Sequence, residues 1–384
     1  MLKSEILFDA SPMVDSRKTG VGYYVDYLIK AIGQEFGEKT ILTGYYFDFL
    51  GLNHKNPEPI KGVRYKRIWL VPGKLLSLTR RLGFQPYLEF FIYKKYRSTL
   101  FTNYVSLPQI NKNSSSVIIY DLSFLDCPEY IQENNLRFLQ TFCPPSIQNA
   151  KSIITISEFT KNRIQHYFPN ITAPIIVTPV PPSDNHKSAS QTLTKSMQSL
   201  GINKGAYILF VGTIEPRKNL DVLIDSYTKL DESIRGRFSL VLAGGKGWKI
   251  QKTLDKIDAL KSRGFKIIIT GYVTDEELES LYSNATMFVL PSHYEGFGMP
   301  ILEAMQYKLP VILSDIPVFR EVAGDSALYF DKDSSKELAS CINSVFTDSI
   351  IKDGIVNNSK VLLKKYSWQE NAKIVYEELE KGLS

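Results

Sequence analysis

The chain is poor in the residues that build metal and disulfide sites. Its three cysteines, Cys127, Cys143 and Cys341, are odd in number, widely spaced and form no C-x-x-C pair, so neither a disulfide framework nor a zinc knuckle is indicated. Reduced thiols are the expectation. The four histidines, His54, His166, His186 and His293, show no H-E-x-x-H or comparable spacing, and no G-x-S-x-G elbow occurs. Metal hydrolysis and serine-ester chemistry therefore lack support. No apolar run approaches the roughly 18 residues that a membrane span requires, and MLKSEILFDASP holds too short an apolar segment for a signal peptide. A cytoplasmic protein is expected. Acidic and basic residues nearly balance in the second half, and no nucleic-acid motif appears, so a nucleic-acid partner is not expected.

What the chain does have is length and alternation. Its 384 residues exceed the size at which one core usually stops growing, which predicts two domains. Strand-like runs at 4–9, 116–119, 152–155, 175–180, 207–212, 238–243, 266–273, 288–290, 309–315 and 327–330 alternate with helical patterns, the signature of parallel-sheet α/β domains. Between them, VPPSDNHKSASQTLTKS turns polar and rich in Pro and Ser. This predicts a first domain over 1–183, a linker over 184–196, a second domain over 197–366 and a final helix within 367–384. Charge is uneven: residues 1–183 hold 21 Lys plus Arg against 14 Asp plus Glu, and the remainder 25 against 26.

The most informative stretch is FVLPSHYEGFGMPILE, residues 288–303. A short apolar strand ends at Pro291, Gly296 and Gly298 allow an unusual loop, and Pro300 suits the first turn of a helix. Such a helix start aims unpaired N–H groups and a positive dipole end at the strand's carboxyl end, a ready phosphate site. Glu295 and Glu303 bracket it. Carboxylates repel phosphate, so they read as acceptors for neutral hydroxyls on the same ligand. The local alternative is a plain strand-to-helix turn with Glu303 favouring the helix N-terminus.

Glu295 and Glu303, with GFGMPIL between them, resemble the paired-glutamate motif of retaining glycosyltransferases of family four. The similarity continues through EAMQYKLPVILSDIPVFREVAGDSALYFD (303–331) and VGTIEPRKNLDVLIDSY (211–227). It implies a GT-B fold, two Rossmann-like α/β domains facing across a cleft, with the final helix crossing back to the first domain. It also implies retaining, metal-independent transfer of a sugar from a nucleotide diphosphate, GDP-mannose first, with UDP- or dTDP-sugars open. No cofactor is expected. Arg217 and Lys218 would stabilise the departing diphosphate, Glu295 the sugar hydroxyls and Glu303 the ribose hydroxyls. Gly20, Gly22, Gly212, Tyr272, Val273, Gly296, Phe297, Gly298, Met299 and Pro300 would complete the donor site. Transferases of another fold use an Asp-x-Asp pair on a metal; the matching Asp331-Lys332-Asp333 follows a strand and precedes SSKE, and reads as a turn.

In the first half, Gly20 and Gly22 fall just before a helical pattern, VGYYVDYLIKAIGQEF. GVGYYV imitates G-x-G-x-x-G, but Val25 replaces the third glycine and a long loop intervenes, against a dinucleotide site. Asp121 follows a strand and is a candidate for orienting hydroxyls or a turn-former. Tyr120 stands where relatives commonly have histidine, and is a candidate acceptor contact. Residues 61–97 interleave ten basic residues with aromatics and one acid, Glu89. Arg80 and Arg81 ahead of YLEFFIY suit an anionic membrane or a lipid-phosphate acceptor; a core helix over 87–96 is the alternative. The whole reading is an enzyme extending a glycan or lipid-linked glycan, peripheral to the membrane. A nucleotide-sugar epimerase or a phosphorylase of the same fold, and a non-catalytic scaffold, remain as alternatives.

Overall fold

The computed structural model describes residues 3–14, 18–48, 56–69, 86–92, 94, 96–110, 115–183 and 192–381. The chain divides into two compact units, Met1–Val180 with Ser367–Ser384, and Pro181–Tyr366. No helix among the described residues is long and apolar enough to cross a membrane.

The first unit contains β1 (Ser4–Asp9), β2 (Thr40–Phe47), β3 (Val63–Ile68), β4 (Ser98–Phe101), β5 (Ser115–Ile119), β6 (Ser152–Thr155) and β7 (Ile175–Val177). All pair in parallel, in the order β3-β2-β1-β4-β5-β6-β7. Every residue of β4, β5 and β6 is buried, as in parallel strands covered on both faces. Leu7, Phe101, Val117, Ile119 and Ile153 lead the core.

Three of these strands, β2, β3 and β4, are not evident from the sequence pattern. In β2, Gly44 interrupts the run, and the structure supplies the reason: a Cβ there would lie 2.6 Å from the Phe8 ring. The β3 strand forms the sheet edge, and its exposed Arg64, Lys66 and Arg67 discourage pairing with another chain. Part of the basic run at 61–97 thus has a structural place. The described residues of 87–96 form no α-helix, the alternative considered for that stretch: Leu88–Phe90 is a single 3-10 turn. Leu88 and Ile92 are buried, while Tyr87 and Phe90 are 42% and 65% exposed. Arg80 and Arg81 lie outside the described residues.

The second unit contains β8 (Tyr207–Val211), β9 (Ser239–Ala243), β10 (Ile267–Gly271), β11 (Met287–Leu290), β12 (Val311–Ser314) and β13 (Leu328–Phe330). Their order is β10-β9-β8-β11-β12-β13, again all parallel. Strand order reverses between β8 and β11, so the loops at their carboxyl ends diverge around a crevice. That is where open α/β sheets bind ligands. The glycines after β9 serve close backbone approach: a Cβ on Gly244 would fall 2.0 Å from the Gly212 carbonyl oxygen, and one on Gly247 would fall 2.7 Å from that of Ile214.

The last helix, Trp368–Glu380, belongs to the first unit. Ser367 caps it through the Glu370 N–H at 3.3 Å. It packs on the Gly20–Phe36 helix, with Tyr376 stacked on Phe36 at 4.0 Å and Trp368 against Tyr24 and Tyr27. Trp368 is buried. Trp368→Ala is expected to cost about 3–5 kcal/mol, read as a lower urea midpoint together with faster amide exchange in the Gly20–Phe36 helix; unchanged exchange there would contradict this packing role.

Candidate active site in the second unit

Two loops meet at the crevice between β8 and β11. The first, after β8, places Pro216–Lys218 in a 3-10 turn. The second, after β11, runs through Ser292, His293, Tyr294 and Glu295 to the helix Met299–Gln306. Their backbones are tied together: the His293 N–H donates to the Arg217 carbonyl at 2.9 Å. The Arg217 guanidinium returns the link, donating through Nη1 to the Tyr294 carbonyl at 2.8 Å and to Glu295 Oε2 at 2.6 Å. Through Nη2 it donates to Glu215 Oε1 at 2.7 Å. Lys218 Nζ donates to Glu295 Oε1 at 2.6 Å. Ser292 Oγ adds a third donor to Glu295, at 2.8 Å, and Ser314 Oγ anchors the Ser292 carbonyl at 2.6 Å.

The result is a buried, charge-balanced cluster of two cations and two carboxylates. Glu295 is 6% exposed. Burial alone would raise its pKa, but attraction to Arg217 and Lys218, with their hydrogen bonds, outweighs it and holds the carboxyl down at about 2. A carboxylate offers about four lone-pair sites, and three are occupied by protein donors. Glu295 therefore has about one lone-pair site left for a further donor. Arg217 and Lys218, expected at the diphosphate, are in this structure engaged with carboxylates.

Glu303 contrasts with Glu295. Burial raises its carboxyl above the ordinary value, partly offset by the Tyr282 hydroxyl, which donates to Oε2 at 2.8 Å; Asp275 adds a small upward push. Tyr282 is itself fully buried and stacked on Tyr307 at 5.5 Å. Around these residues the loop is tightly shaped. Gly298 adopts φ 95°, and a Cβ there would meet Ile301 Cδ1 at 2.8 Å and Phe319 Cε1 at 2.9 Å. This accounts for one of the motif's two glycines without a ligand. Gly298 begins the helix with no side-chain cap, and Met299 and Pro300 form its first turn. Gly296 and Phe297 are buried, and the Phe297 ring meets Tyr366 edge-on at 6.0 Å. Gly212 follows β8 with φ 151°, beside the Lys218 side chain. Tyr272 is exposed and Val273 half-buried at the end of β10.

The structure also places the other residues singled out by the sequence. Asn219, at the start of the helix Leu220–Thr228, makes no side-chain capping bond to it: it takes a left-handed conformation, φ 52°, and its Nδ2 donates to the Lys332 carbonyl at 2.7 Å. The Asp331-Lys332-Asp333 triplet forms a turn in which the Asp333 N–H donates to Asp331 Oδ1 at 2.9 Å. In the first unit, Gly20 and Gly22 lie within the first turn of the Gly20–Phe36 helix rather than before it. Gly22 lacks a side chain because a Cβ would fall 2.6 Å from the Pro12 carbonyl oxygen. Tyr120 is buried, donates to the Thr102 carbonyl at 2.8 Å and packs between Tyr24 and Tyr104. Asp121 accepts from the Ser123 N–H at 2.9 Å and Oγ at 2.7 Å, a turn-forming role at the end of β5.

Glu215, Ser292 and Tyr282 are the residues that sequence reasoning missed. Glu215 stood beside the basic pair, and an acid two residues before an arginine was the available signal. Because the Glu295 pKa is lowered by folding, its stabilisation is fully present above its ordinary 4.5 and is lost as pH falls towards about 2. Glu295→Gln, which leaves buried cations without their partner, should cost about 3–5 kcal/mol at neutral pH. In urea unfolding at stepped pH, the gap to wild type should close as pH falls through that window; a gap independent of pH would contradict the cluster.

Comparison with known proteins places this geometry. The family described as glycosyl transferases group 1 matches residues 194–362, which include both loops. The chain is 28% identical to O-antigen chain mannosyltransferase B of Escherichia coli, over 95% of this chain and 96% of that protein. Among solved structures it resembles WaaG, a glycosyltransferase involved in lipopolysaccharide biosynthesis, with TM-score 0.70 and 13% identity over 97% of this chain and 99% of WaaG. It also resembles HepE of Anabaena, solved in complex with UDP and glucose, with TM-score 0.67 and 16% identity over 98% and 100% of the two chains. At these identities the structural likeness establishes the fold. Residues 194–362 therefore form a glycosyltransferase group 1 domain, within a chain of GT-B fold.

Proposed function

We propose that this glycosyltransferase moves a mannosyl group from GDP-mannose, with retention, to a glycan or lipid-linked glycan in cell-surface polysaccharide synthesis. The observation that carries the reading is the Arg217–Lys218–Glu295 cluster at the crevice between β8 and β11, in a chain similar along nearly its whole length to an O-antigen mannosyltransferase. UDP- and dTDP-sugars are the competing donors.

The bond between the anomeric carbon and the diphosphate breaks, and a bond from that carbon to the acceptor oxygen forms on the same face. The acceptor proton passes to the departing diphosphate. As the sugar becomes oxocarbenium-like, negative charge grows on the diphosphate, and the cationic side of the cluster, with the N–H groups at the Met299–Gln306 helix start, opposes it. No metal is required for that step. Glu295 takes one sugar hydroxyl on its remaining lone pair. Glu303, whose Oε2 is oriented by Tyr282, takes the ribose hydroxyls. Glu295 is given a binding role and not that of a covalent nucleophile, because Arg217, Lys218 and Ser292 already engage both of its oxygens. The basic first unit receives the acceptor, and the anionic membrane surface is the site of work.

A thermal-stability screen of the full chain against GDP-, UDP-, dTDP- and ADP-sugars tests this. A ligand at one hundred times its dissociation constant should add about 2.7 kcal/mol, for one nucleotide class, with the shift abolished in Glu303→Ala. No shift with any nucleotide sugar would contradict the transferase reading and favour a scaffold.

A further inference from the structure

The two adjacent cations are held in unlike ways, and on the transferase reading above that difference has a functional meaning. We propose that Lys218 alone of the pair meets the leaving diphosphate, and that Arg217 is a positioning residue that fixes Glu295 and the 291–298 loop, with Glu215 as its buried anchor.

Arg217 is committed on several sides. Its guanidinium spans Glu215 Oε1, Glu295 Oε2 and the Tyr294 carbonyl at 2.6–2.8 Å, and its own carbonyl accepts from the His293 N–H. A planar fork suits such a bridge, because its donors diverge in fixed directions within one plane. Turning the guanidinium towards a phosphate would strip it from Glu215 and Glu295, each 6% exposed, and leave Glu215 buried without its ion pair. Burial makes that costly. Holding Arg217 still, by contrast, aims Glu295 and seats Tyr294 against the neighbouring loop.

Lys218 is built for the opposite task. Its ammonium has three protons, and one goes to Glu295 Oε1. The side chain lies over the carboxyl end of β8, where Gly212 leaves space: a Cβ at that position would stand 3.4 Å from Lys218 Cε and 3.6 Å from Nζ. Two N–H groups remain beyond that bond, on a point charge that can turn without a fixed plane. The sequence EPRK thus encodes a brace and a phosphate ligand side by side. Glu215 completes the division, since it balances the arginine's charge and leaves the lysine to act on the diphosphate.

Calorimetric titration of the full chain and its variants with GMP, GDP and GDP-mannose separates these roles, with the uridine set substituted if the thermal screen selects it. Lys218→Gln should reduce the preference for GDP over GMP by about tenfold. Arg217→Gln should keep that preference within about twofold yet lower the affinity for GDP-mannose relative to GDP by about tenfold. Arg217→Lys should not restore it, because an ammonium cannot span the three acceptors in one plane. If Arg217→Gln fails to fold, Glu215→Gln keeps the arginine and should show the same pattern in weaker form. Loss of the GDP preference in Arg217→Gln to the extent seen in Lys218→Gln, or rescue of sugar discrimination by Arg217→Lys, overturns the division while leaving the transferase reading intact. Absence of any nucleotide binding by the wild-type chain overturns both.

Discussion

A carboxylate buried among donors organises the second unit. Glu295 receives Lys218 and Ser292 on one oxygen and Arg217 on the other, so it cannot move without unpairing cations that have little access to water. Such a group is costly to break and of limited net value to stability, because its desolvation cost nearly offsets its attraction. Its worth lies in geometry. It joins two loops that are nearly eighty residues apart in sequence.

The sheet makes that connection possible. The β8 and β11 strands pair in parallel although two other strands intervene in sequence, and the order reverses between them. Any doubly wound sheet opens a crevice at such a point; here the loops that flank it carry both cations and Glu295, and the helix that follows carries Glu303. Glycine serves the same end through space rather than charge. Gly244 and Gly247 let the loop after β9 lie against Gly212 and Ile214, and Gly298 lets the helix start lie against Phe319.

What could be read from the sequence follows from where each determinant lies. The strands β8, β9, β11 and β12 are continuous apolar runs bounded by Pro, Gly or polar residues, and their burial at every position matches that pattern. The capping box that joins Thr274 and Glu277 is another local feature, set by two residues three positions apart. The β2 and β3 strands were hidden, the one by a glycine that makes room for Phe8, the other by edge cations that looked like a binding surface. The two motif glutamates were legible from spacing. Their partners Ser292, Tyr282 and Glu215 were not, because each matters only once the chain brings separate elements together. Tyr282 reads as one more apolar residue on a helix until its hydroxyl is found 2.8 Å from Glu303. Tyr120 and Asp121 sit at a strand's carboxyl end as expected, but their hydrogen bonds turn inward, to Thr102 and Ser123.

The activity proposed for this charge-balanced crevice is sugar transfer with retained configuration. The most direct measurement is the anomeric configuration of the product formed from an α-linked, carbon-13-labelled nucleotide sugar and a glycan acceptor, read from the one-bond carbon–hydrogen coupling at the transferred sugar. The account predicts an α-linked product from wild type and none from Glu303→Ala. A β-linked product, or free sugar released at the same rate with and without acceptor, would contradict it.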